Sequence, residues 1–214
     1  MQLDIFSDVI CPWCYIGKRR LERALAERPQ PDLALRWRAF QLNPDMPAAG
    51  MERLAYLTAK FGHARAEQIY TTIRQVGELE GIPFRFDRIE RTPNTVDAHR
   101  LIRLAGMVGL QDQMVEQLFQ AYFVDGRNLS DRQALADVAG AAGVDRSEAS
   151  EYLASTANVA EVRAESDFAY KAGITGVPCF IANGQYAISG AQEPEGLFPL
   201  FDLAHQREPA ASLG

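Results

Sequence analysis

The amino-acid sequence predicts a mixed α/β fold in which a βαβ unit and a ββα unit enclose a long helical block. Two strand-like segments, 3–10 and 33–42, flank a helical pattern. Between residues 50 and 171 the apolar residues recur at helical spacing, with short breaks at glycine, proline or asparagine. Near the end of the chain, two short β segments are joined by Asn183-Gly184, which tolerates the positive φ angles of a tight hairpin turn.

The first unit begins with segment 3–10, an apolar run that leads directly into a helix. Apolar residues continue this helix to residue 26, and Pro29 and Pro31 end it. Segment 33–42 then alternates between two faces, as a strand does, until Asn43-Pro44. Strand, helix and strand within about 45 residues predict a parallel pair of strands joined by a crossover.

The helical block contains start and stop signals. Ser130 with Gln133, and Asp145 with Glu148, place a capping oxygen three residues before a side chain that can reach back. Glycines that are expected to end helices are Gly126, Gly143 and Gly173. The predicted helices of the block span residues 51–61, 64–80, 95–108, 111–124, 132–142, 147–155 and 159–172.

The end of the chain returns to β structure. We expect strands at 179–182 and 185–189, followed by a helix at 194–205. If the strands from both ends of the chain form one sheet, residues 1–47 and 173–207 are two halves of one domain, residues 48–172 are an all-helical insertion, and residues 208–214 are a frayed tail. Four aromatic residues are assigned to the core: Phe6, Phe40, Phe180 and Phe198.

Composition narrows the class of protein. The chain has 214 residues, 47% of them hydrophobic, and 22 basic against 28 acidic residues give a net charge of −6. This balance argues against a nucleic-acid partner, and no apolar run reaches the ~20 residues that span a bilayer. With no secretory signal pattern and three cysteines, we expect a cytoplasmic protein without a membrane partner. A monomer and a homodimer are both compatible with these numbers.

The chemistry is carried by Cys11-Pro12-Trp13-Cys14, which follows the first strand and opens the first helix. A cysteine at a helix start meets unpaired backbone N–H groups and the positive end of the dipole, so its thiolate is favoured. Proline suits the first helical position. Cys14 follows about one turn later, within reach of a disulfide to Cys11. We expect one exposed, nucleophilic sulfur and one shielded sulfur, as in a thiol–disulfide exchange centre.

Other interpretations of the cysteines remain open at this point. The pair could be half of a zinc site or two buried core residues. The remaining candidate ligands are Cys179, His63, His99 and His205, and none has paired spacing, so we expect no metal. Cys179 fits a small buried strand residue or a third redox thiol, and His99 fits a packed or capping residue better than a catalytic base.

A second motif, Gly176-Val177-Pro178, precedes the hairpin. Proline is tolerated at the head of a strand because it need not donate to the ladder. It is either an ordinary trans loop proline or a cis-proline. A cis bond beside the start of the first helix would present the backbone of Val177 to an extended substrate as one rung of strand pairing.

These motifs together resemble the DsbA family of thioredoxin-fold oxidoreductases, and more closely its FrnE-like branch. The resemblance spans nearly the whole chain. It implies a thioredoxin-like fold with an inserted helical domain, Cys11 as nucleophile, Cys14 as resolving thiol and Pro178 as the cis-proline. Pro12, Trp13 and Val177 would join Pro178 in contacting the substrate. The matching segments besides the Cys11–Cys14 motif are 40–44, 93–101, 121–123, 126–130 and 175–178.

The resemblance favours a cytoplasmic thiol–disulfide oxidoreductase with no cofactor beyond the redox-active Cys11–Cys14 pair. Its partners would be a protein or a low-molecular-weight dithiol or disulfide, including glutathione. Kappa-class glutathione transferases and 2-hydroxychromene-2-carboxylate isomerases share this architecture but have serine in place of Cys11, so a glutathione-dependent isomerase or transferase is the enzyme alternative. Segment 189–192 would then hold the γ-glutamyl end, or else is a helix-entry turn. A chaperone-like binding module is the non-enzyme alternative.

Overall fold

The computed structural model describes residues 1–205. Six strands and nine α-helices lie within this part of the chain. The strands are β1 Gln2–Ser7, β2 Ala34–Ala39, β3 Met51–Glu52, β4 Arg91–Thr92, β5 Cys179–Ala182 and β6 Tyr186–Ser189. The helices are α1 Pro12–Glu27, α2 Arg53–Phe61, α3 His63–Leu79, α4 Val96–Gly106, α5 Gln111–Phe123, α6 Arg132–Ala141, α7 Arg146–Ala154, α8 Val159–Lys171 and α9 Pro194–His205.

Strands from both ends of the chain form one four-stranded sheet in the order β2-β1-β5-β6. β1 runs parallel to β2, with Ile5 opposite Trp37, and antiparallel to β5, with Ile5 opposite Phe180. β5 and β6 form the predicted hairpin, whose turn residues Asn183 and Gly184 have φ angles of 51° and 70°. The α/β architecture is therefore confirmed.

The core is continuous between the sheet and the helical block. Ile5 of β1, Tyr15 of α1 and Phe119 of α5 belong to one buried cluster, and the rings of Tyr15 and Phe119 stack at 4.9 Å. Three of the four predicted core aromatics are buried, but Phe198 is only half-buried. It lies at the edge of the core, where the Arg28 guanidinium covers its ring at 4.9 Å.

Several element boundaries differ from the prediction. The first strand ends at Ser7 rather than residue 10, because the chain turns there and the Cys11 N–H donates to the Asp8 carbonyl at 2.9 Å. The second predicted strand, 33–42, is shorter as well. The insertion is not all helical, since β3 pairs with β4 and the helix predicted from residue 51 begins at Arg53. A short 3₁₀ helix at Phe86–Arg88 also lies in this block.

Of the two predicted capping oxygens, one is confirmed. The Asp145 side chain accepts from the Glu148 N–H at 2.9 Å. The other cap is Asp131, whose carboxylate accepts from the Gln133 N–H, whereas the hydroxyl of Ser130 has no partner among the described residues. Carboxylates and hydroxyls are both good caps, so residue type does not decide between neighbouring Ser130 and Asp131. The backbone conformation at the start of the helix decides which of them is the N-cap.

Polar side-chain contacts attach the helical block to the sheet domain at several positions. The Gln111 amide bonds both backbone groups of Trp37, accepting from its N–H at 2.8 Å and donating to its carbonyl at 3.2 Å. This occupies the outer edge of β2, which would otherwise be unpaired. At the other side, Arg20 of α1 donates to the buried carboxylate of Glu80 at 2.7 Å, next to the end of α3.

The described helices, taken one by one, are all too short or too polar to cross a lipid bilayer. Residues 206–207 and the predicted tail at 208–214 lie outside the described residues. The predicted domain boundaries remain predictions.

Candidate active site at the start of helix α1

Cys11 is the N-cap residue of α1, with an extended backbone and Pro12 at the first helical position. Its side chain does not cap the helix, so the sulfur remains free of the backbone N–H groups of α1. The Sγ atom lies 3.5 Å from the carbonyl oxygen of Val177. Only 5% of Cys11 is exposed, which is less than the open position that the sequence predicts, because Val177 and the helical block cover it.

Cys14 lies one turn further along α1 and is fully buried. Its N–H donates to the Cys11 carbonyl at 3.0 Å, and both cysteines are free thiols. Burial raises the pKa of Cys14 well above its ordinary value, and the neighbouring Cys11 raises it further. Hydrogen bonds involving the Ser7 side chain and the Asp8 backbone oppose this rise. The neutral thiol of Cys14 is therefore strongly favoured.

The proline loop packs directly on α1. The peptide bond between Val177 and Pro178 is cis, as the motif suggested. The Pro178 carbonyl accepts from the Gly190 N–H at 2.8 Å, which ties the loop to the end of the hairpin. Gly17 of α1 faces the Pro178 ring, and its lack of a side chain permits this close approach.

A cavity of about 300 Å³ opens in front of Cys11. The first turn of α1 and the Val177 loop form one wall, and helices α2 and α3 form the other. Cys11, Pro12, Trp13 and Val177 line it, and Trp13 is 37% exposed. Their roles toward a substrate stay predictions. Pro178 does not line the cavity. A larger hollow of about 630 Å³ lies along β2, but no cysteine lines it, so the chemistry points to the smaller cavity.

We expect from the sequence that the helical block lines this groove, and the structure identifies the residues of α2 and α3 that do so. Arg53, Lys60 and Tyr70 line the cavity, and no carboxylate is found among its described lining residues. The aromatic side chains that face it besides Trp13 are Tyr56, Phe61, Tyr70 and Tyr122. One sequence signal was available: segment 53–61 has two cations and no acid, in a chain whose net charge is −6.

Asp8 and His99 form a buried pair behind the site. His99 Nε2 lies 3.5 Å from Asp8 Oδ1, and neither atom has a hydrogen-bond partner among the described residues. The other Asp8 oxygen accepts from the Leu42 N–H at 2.8 Å. His99 is thus a packed residue, as the sequence favoured, and it joins α4 to the loop that precedes Cys11.

Cys179 does not line the cavity. It is buried in a separate apolar cluster with Phe6 and Phe40, and burial raises its pKa while the Ser189 hydroxyl opposes the rise. A redox role for this thiol stays a prediction. Segment 189–192 precedes α9, where the Gln192 side chain donates to the Ser189 carbonyl at 2.6 Å. Among the described side chains, no three metal-ligating groups come together.

A βαβ…ββα sheet with a Cys-x-x-Cys pair at its first helix defines a class of thiol–disulfide enzymes. Residues 2–198 match the family model described as DSBA-like thioredoxin domain. The chain belongs to this family. The thioredoxin-like fold is thereby confirmed, and the protein is an enzyme of the thiol–disulfide type.

Solved structures agree with this assignment. A probable DsbA oxidoreductase from Streptomyces coelicolor, SCO1869, is 34% identical, with a TM-score of 0.89 over 98% of this chain and 92% of that chain. A 2-hydroxychromene-2-carboxylate isomerase has a TM-score of 0.69 at 19% identity, covering 95% of this chain and 94% of its own. The cytosolic disulfide reductase DsbM from Pseudomonas aeruginosa, in a structure with GSH, has a TM-score of 0.65 at 18% identity, covering 95% of this chain and 98% of its own. The last two show the shared fold alone. Membership of the FrnE-like branch remains a prediction.

Proposed function

We propose that this protein is a thiol–disulfide oxidoreductase in which Cys11 attacks the substrate and Cys14 resolves the intermediate. The observation that carries this proposal is the asymmetry of the two thiols. Cys11 lines a cavity at a helix start, whereas Cys14 is fully buried and its pKa is raised mainly by that burial. Two thiols of the same motif are thus suited to different steps.

The reaction begins when the Cys11 thiolate attacks one sulfur of a substrate disulfide. A Cys11–substrate S–S bond forms, the substrate S–S bond breaks, and the departing sulfur takes up a proton. Cys14 then loses its proton and attacks the Cys11 sulfur, which releases the second substrate thiol and leaves a Cys11–Cys14 disulfide. An added dithiol returns this disulfide to the reduced state, and the reverse sequence oxidises a substrate dithiol.

In this proposal the substrate contacts four residues around Cys11: Pro12, Trp13, Val177 and Pro178. The Val177 carbonyl, 3.5 Å from Cys11 Sγ, is an acceptor placed beside the reacting sulfur. A backbone N–H of an extended substrate that donates to it would lie next to the disulfide under attack. Trp13 forms part of the exposed rim.

The proposed setting is the cytoplasm, with no bound cofactor and a protein or small dithiol as partner. A chain with three cysteines fits a reducing compartment, where a cysteine pair is more often catalytic than structural. The cytosolic disulfide reductase DsbM, whose structure was solved with GSH, shares this fold, which supports glutathione as a thiol partner.

Three variants test the proposal in dithiothreitol-driven reduction of insulin. We expect both Cys11→Ser and Cys14→Ser to lose turnover, but only Cys14→Ser to accumulate a mixed disulfide with the substrate, visible by mass spectrometry. Cys179→Ala, outside the cavity, is the matched control and should keep its activity. Wild-type turnover in both active-site variants would overturn the proposal.

The same variants separate the alternatives. A glutathione-dependent isomerase or transferase would not need Cys14, so Cys14→Ser would remain active with a bound thiol cofactor. A chaperone-like module would protect an aggregating client equally well after loss of both cysteines. The oxidoreductase proposal expects neither result.

A further inference from the structure

Arg53, the first residue of α2, is a buried cation without an acidic partner. It is 8% exposed, and no carboxylate of residues 1–205 forms an ion pair with it. Two acids, Glu67 and Asp87, line a neighbouring cavity together with Arg53. Asp87 is paired with Arg85 at 2.7 Å, and Glu67 forms no ion pair with Arg53. A charge removed from water without a counter-ion is costly, so its position needs a compensating group.

The surrounding protein stabilises the positive charge of Arg53 only in part. Its guanidinium lies 4.8 Å from the ring centroid of Tyr70 and 5.8 Å from that of Phe86, and one nitrogen reaches the Tyr122 hydroxyl at the long distance of 3.4 Å. Aromatic faces attract a cation but do not neutralise it. The guanidinium therefore has donors available for an anion.

Arg53 lines the cavity that contains Cys11. Tyr70 lines the same cavity, and its ring centroid lies 4.8 Å from the Arg53 guanidinium. An anion bound to Arg53 would thus lie in the same enclosed space as the attacking sulfur. The apolar and aromatic side chains around it are suited to the aliphatic part of a ligand.

The shape and charge of this space indicate the class of ligand. At about 300 Å³ it suits a small molecule, and Arg53 and Lys60 are its two charged lining residues among those described. Lys60 is already engaged, donating to the Asn43 side chain at 3.1 Å and to the Tyr56 hydroxyl at 2.7 Å. Arg53 has the planar donor arrangement that binds a carboxylate with two hydrogen bonds.

We propose that Arg53 binds the carboxylate of a small aliphatic disulfide or thiol while its sulfur reacts with Cys11. This inference rests on the proposed oxidoreductase function and specifies its substrate class as anionic and of low molecular weight. The exchange is balanced as described above. Cys11 forms the new S–S bond, the substrate S–S bond breaks, and the added dithiol supplies the electrons.

Three disulfides of similar length but different charge test the inference. They are 3,3′-dithiodipropionate (anionic), bis(2-hydroxyethyl) disulfide (neutral) and cystamine (cationic). Their kcat/KM values are measured with dithiothreitol as reductant and divided by the uncatalysed rate for each compound. We expect the wild-type enzyme to favour the anionic disulfide over the neutral one by about tenfold or more, as one charge-assisted bidentate contact allows.

The key variant is Arg53→Met, which keeps an unbranched apolar stem and removes the charge. It should lose about tenfold in normalised kcat/KM for dithiodipropionate, through KM, while the rate with the neutral disulfide changes by less than about threefold. Arg53→Lys should restore part of the preference. Arg74→Met removes an exposed cation that does not line the cavity of Cys11 and should leave the preference intact.

The outcomes distinguish this inference from the proposed function. If the wild-type enzyme reduces neither insulin nor any of the three small disulfides, the oxidoreductase proposal fails. If it reduces all three without charge preference, only the role of Arg53 fails. An equal loss for all three disulfides in Arg53→Met, or a preference that disappears in Lys60→Met and persists in Arg53→Met, also contradicts the role assigned to Arg53.

Discussion

A Cβ atom added to Gly17 would lie 2.8 Å from the Cγ atom of Pro178. Real Cβ atoms do not approach that closely, so glycine at this position of α1 is what allows the proline loop to pack against the helix. The same packing places the Val177 carbonyl 3.5 Å from the sulfur of Cys11. The geometry of the site therefore depends on a missing side chain one turn beyond Cys14.

The first prediction follows from this contact. Gly17→Ala should lower the free energy of unfolding by about 1 kcal/mol, because overpacking costs about 1–3 kcal/mol and the gain in helix propensity returns at most about 1 kcal/mol. Denaturant unfolding measures the change. The control is Gly140→Ala in α6, where the nearest atom to the added Cβ is 3.8 Å away, and this variant should be stabilised. Equal stabilisation of both variants would contradict the packing argument.

The second prediction concerns the reactivity of the thiols. Limited alkylation of the reduced protein with iodoacetamide should label Cys11 before Cys14 and Cys179. Cys11 lines the cavity, whereas burial raises the pKa of both other thiols and suppresses their thiolates. Peptide mass mapping at increasing times gives the order. Earlier labelling of Cys14 or Cys179 would contradict the assignment of the nucleophile.

The third prediction is a pH dependence of the resolving step. Burial is the largest cause of the raised pKa of Cys14, and it persists when Cys11 is in a mixed disulfide. The Cys14 thiolate fraction, and with it the rate of release of the second substrate thiol, should rise up to about tenfold per pH unit between about pH 7 and pH 9. Quenched-flow mass spectrometry of the adduct measures this rate. A rate that does not change with pH would show that deprotonation of Cys14 does not limit the step.

The fourth prediction concerns Glu80, which joins α1 to the helical block. Burial alone would raise the pKa of Glu80, but hydrogen bonds and charges from Arg20 and Arg23 outweigh it, so the pKa is lowered. The ionised form is therefore the one that stabilises the fold. Its contribution is fully present above the pKa of an unfolded glutamate, about 4.3, and is lost as the pH falls through the lower folded value.

Glu80→Gln should accordingly reduce the free energy of unfolding at neutral pH by about 1.5–3 kcal/mol, the range for hydrogen bonds to charged groups. The difference from the wild-type protein should shrink as the pH falls below about 4. Urea unfolding at several pH values measures both. Glu78→Gln, which replaces an exposed acid in the last turn of α3, is the control and should change stability little at any pH. A stability difference that is independent of pH would show that the charge of Glu80 is not what stabilises the fold.

Much of the fold was predictable because its signals are local. Helical spacing, the alternation of the β strands and the Asn183-Gly184 turn depend on residues close together in the chain, and each is present in the structure. Signals that depend on distant partners were missed. β3 has only two residues, and it exists because β4 pairs with it from the far side of α2 and α3. Ser130 and Asp131 are both plausible caps by residue type, and backbone geometry selects Asp131.

The same distinction between local and long-range signals applies to the candidate site. Short segments of the sequence are enough to predict that Cys11 starts a helix after the first strand, that Cys14 follows one turn later, and that Val177-Pro178 precedes a later strand. How deeply Cys11 is covered, and which side chains face it, depend on how distant parts of the chain pack together. Arg53 and Tyr70 belong to helices that return over the first turn of α1, and Asp8 meets His99 across two elements. Burial and charge at the sulfur come from these long-range contacts, which periodicity and capping patterns do not encode.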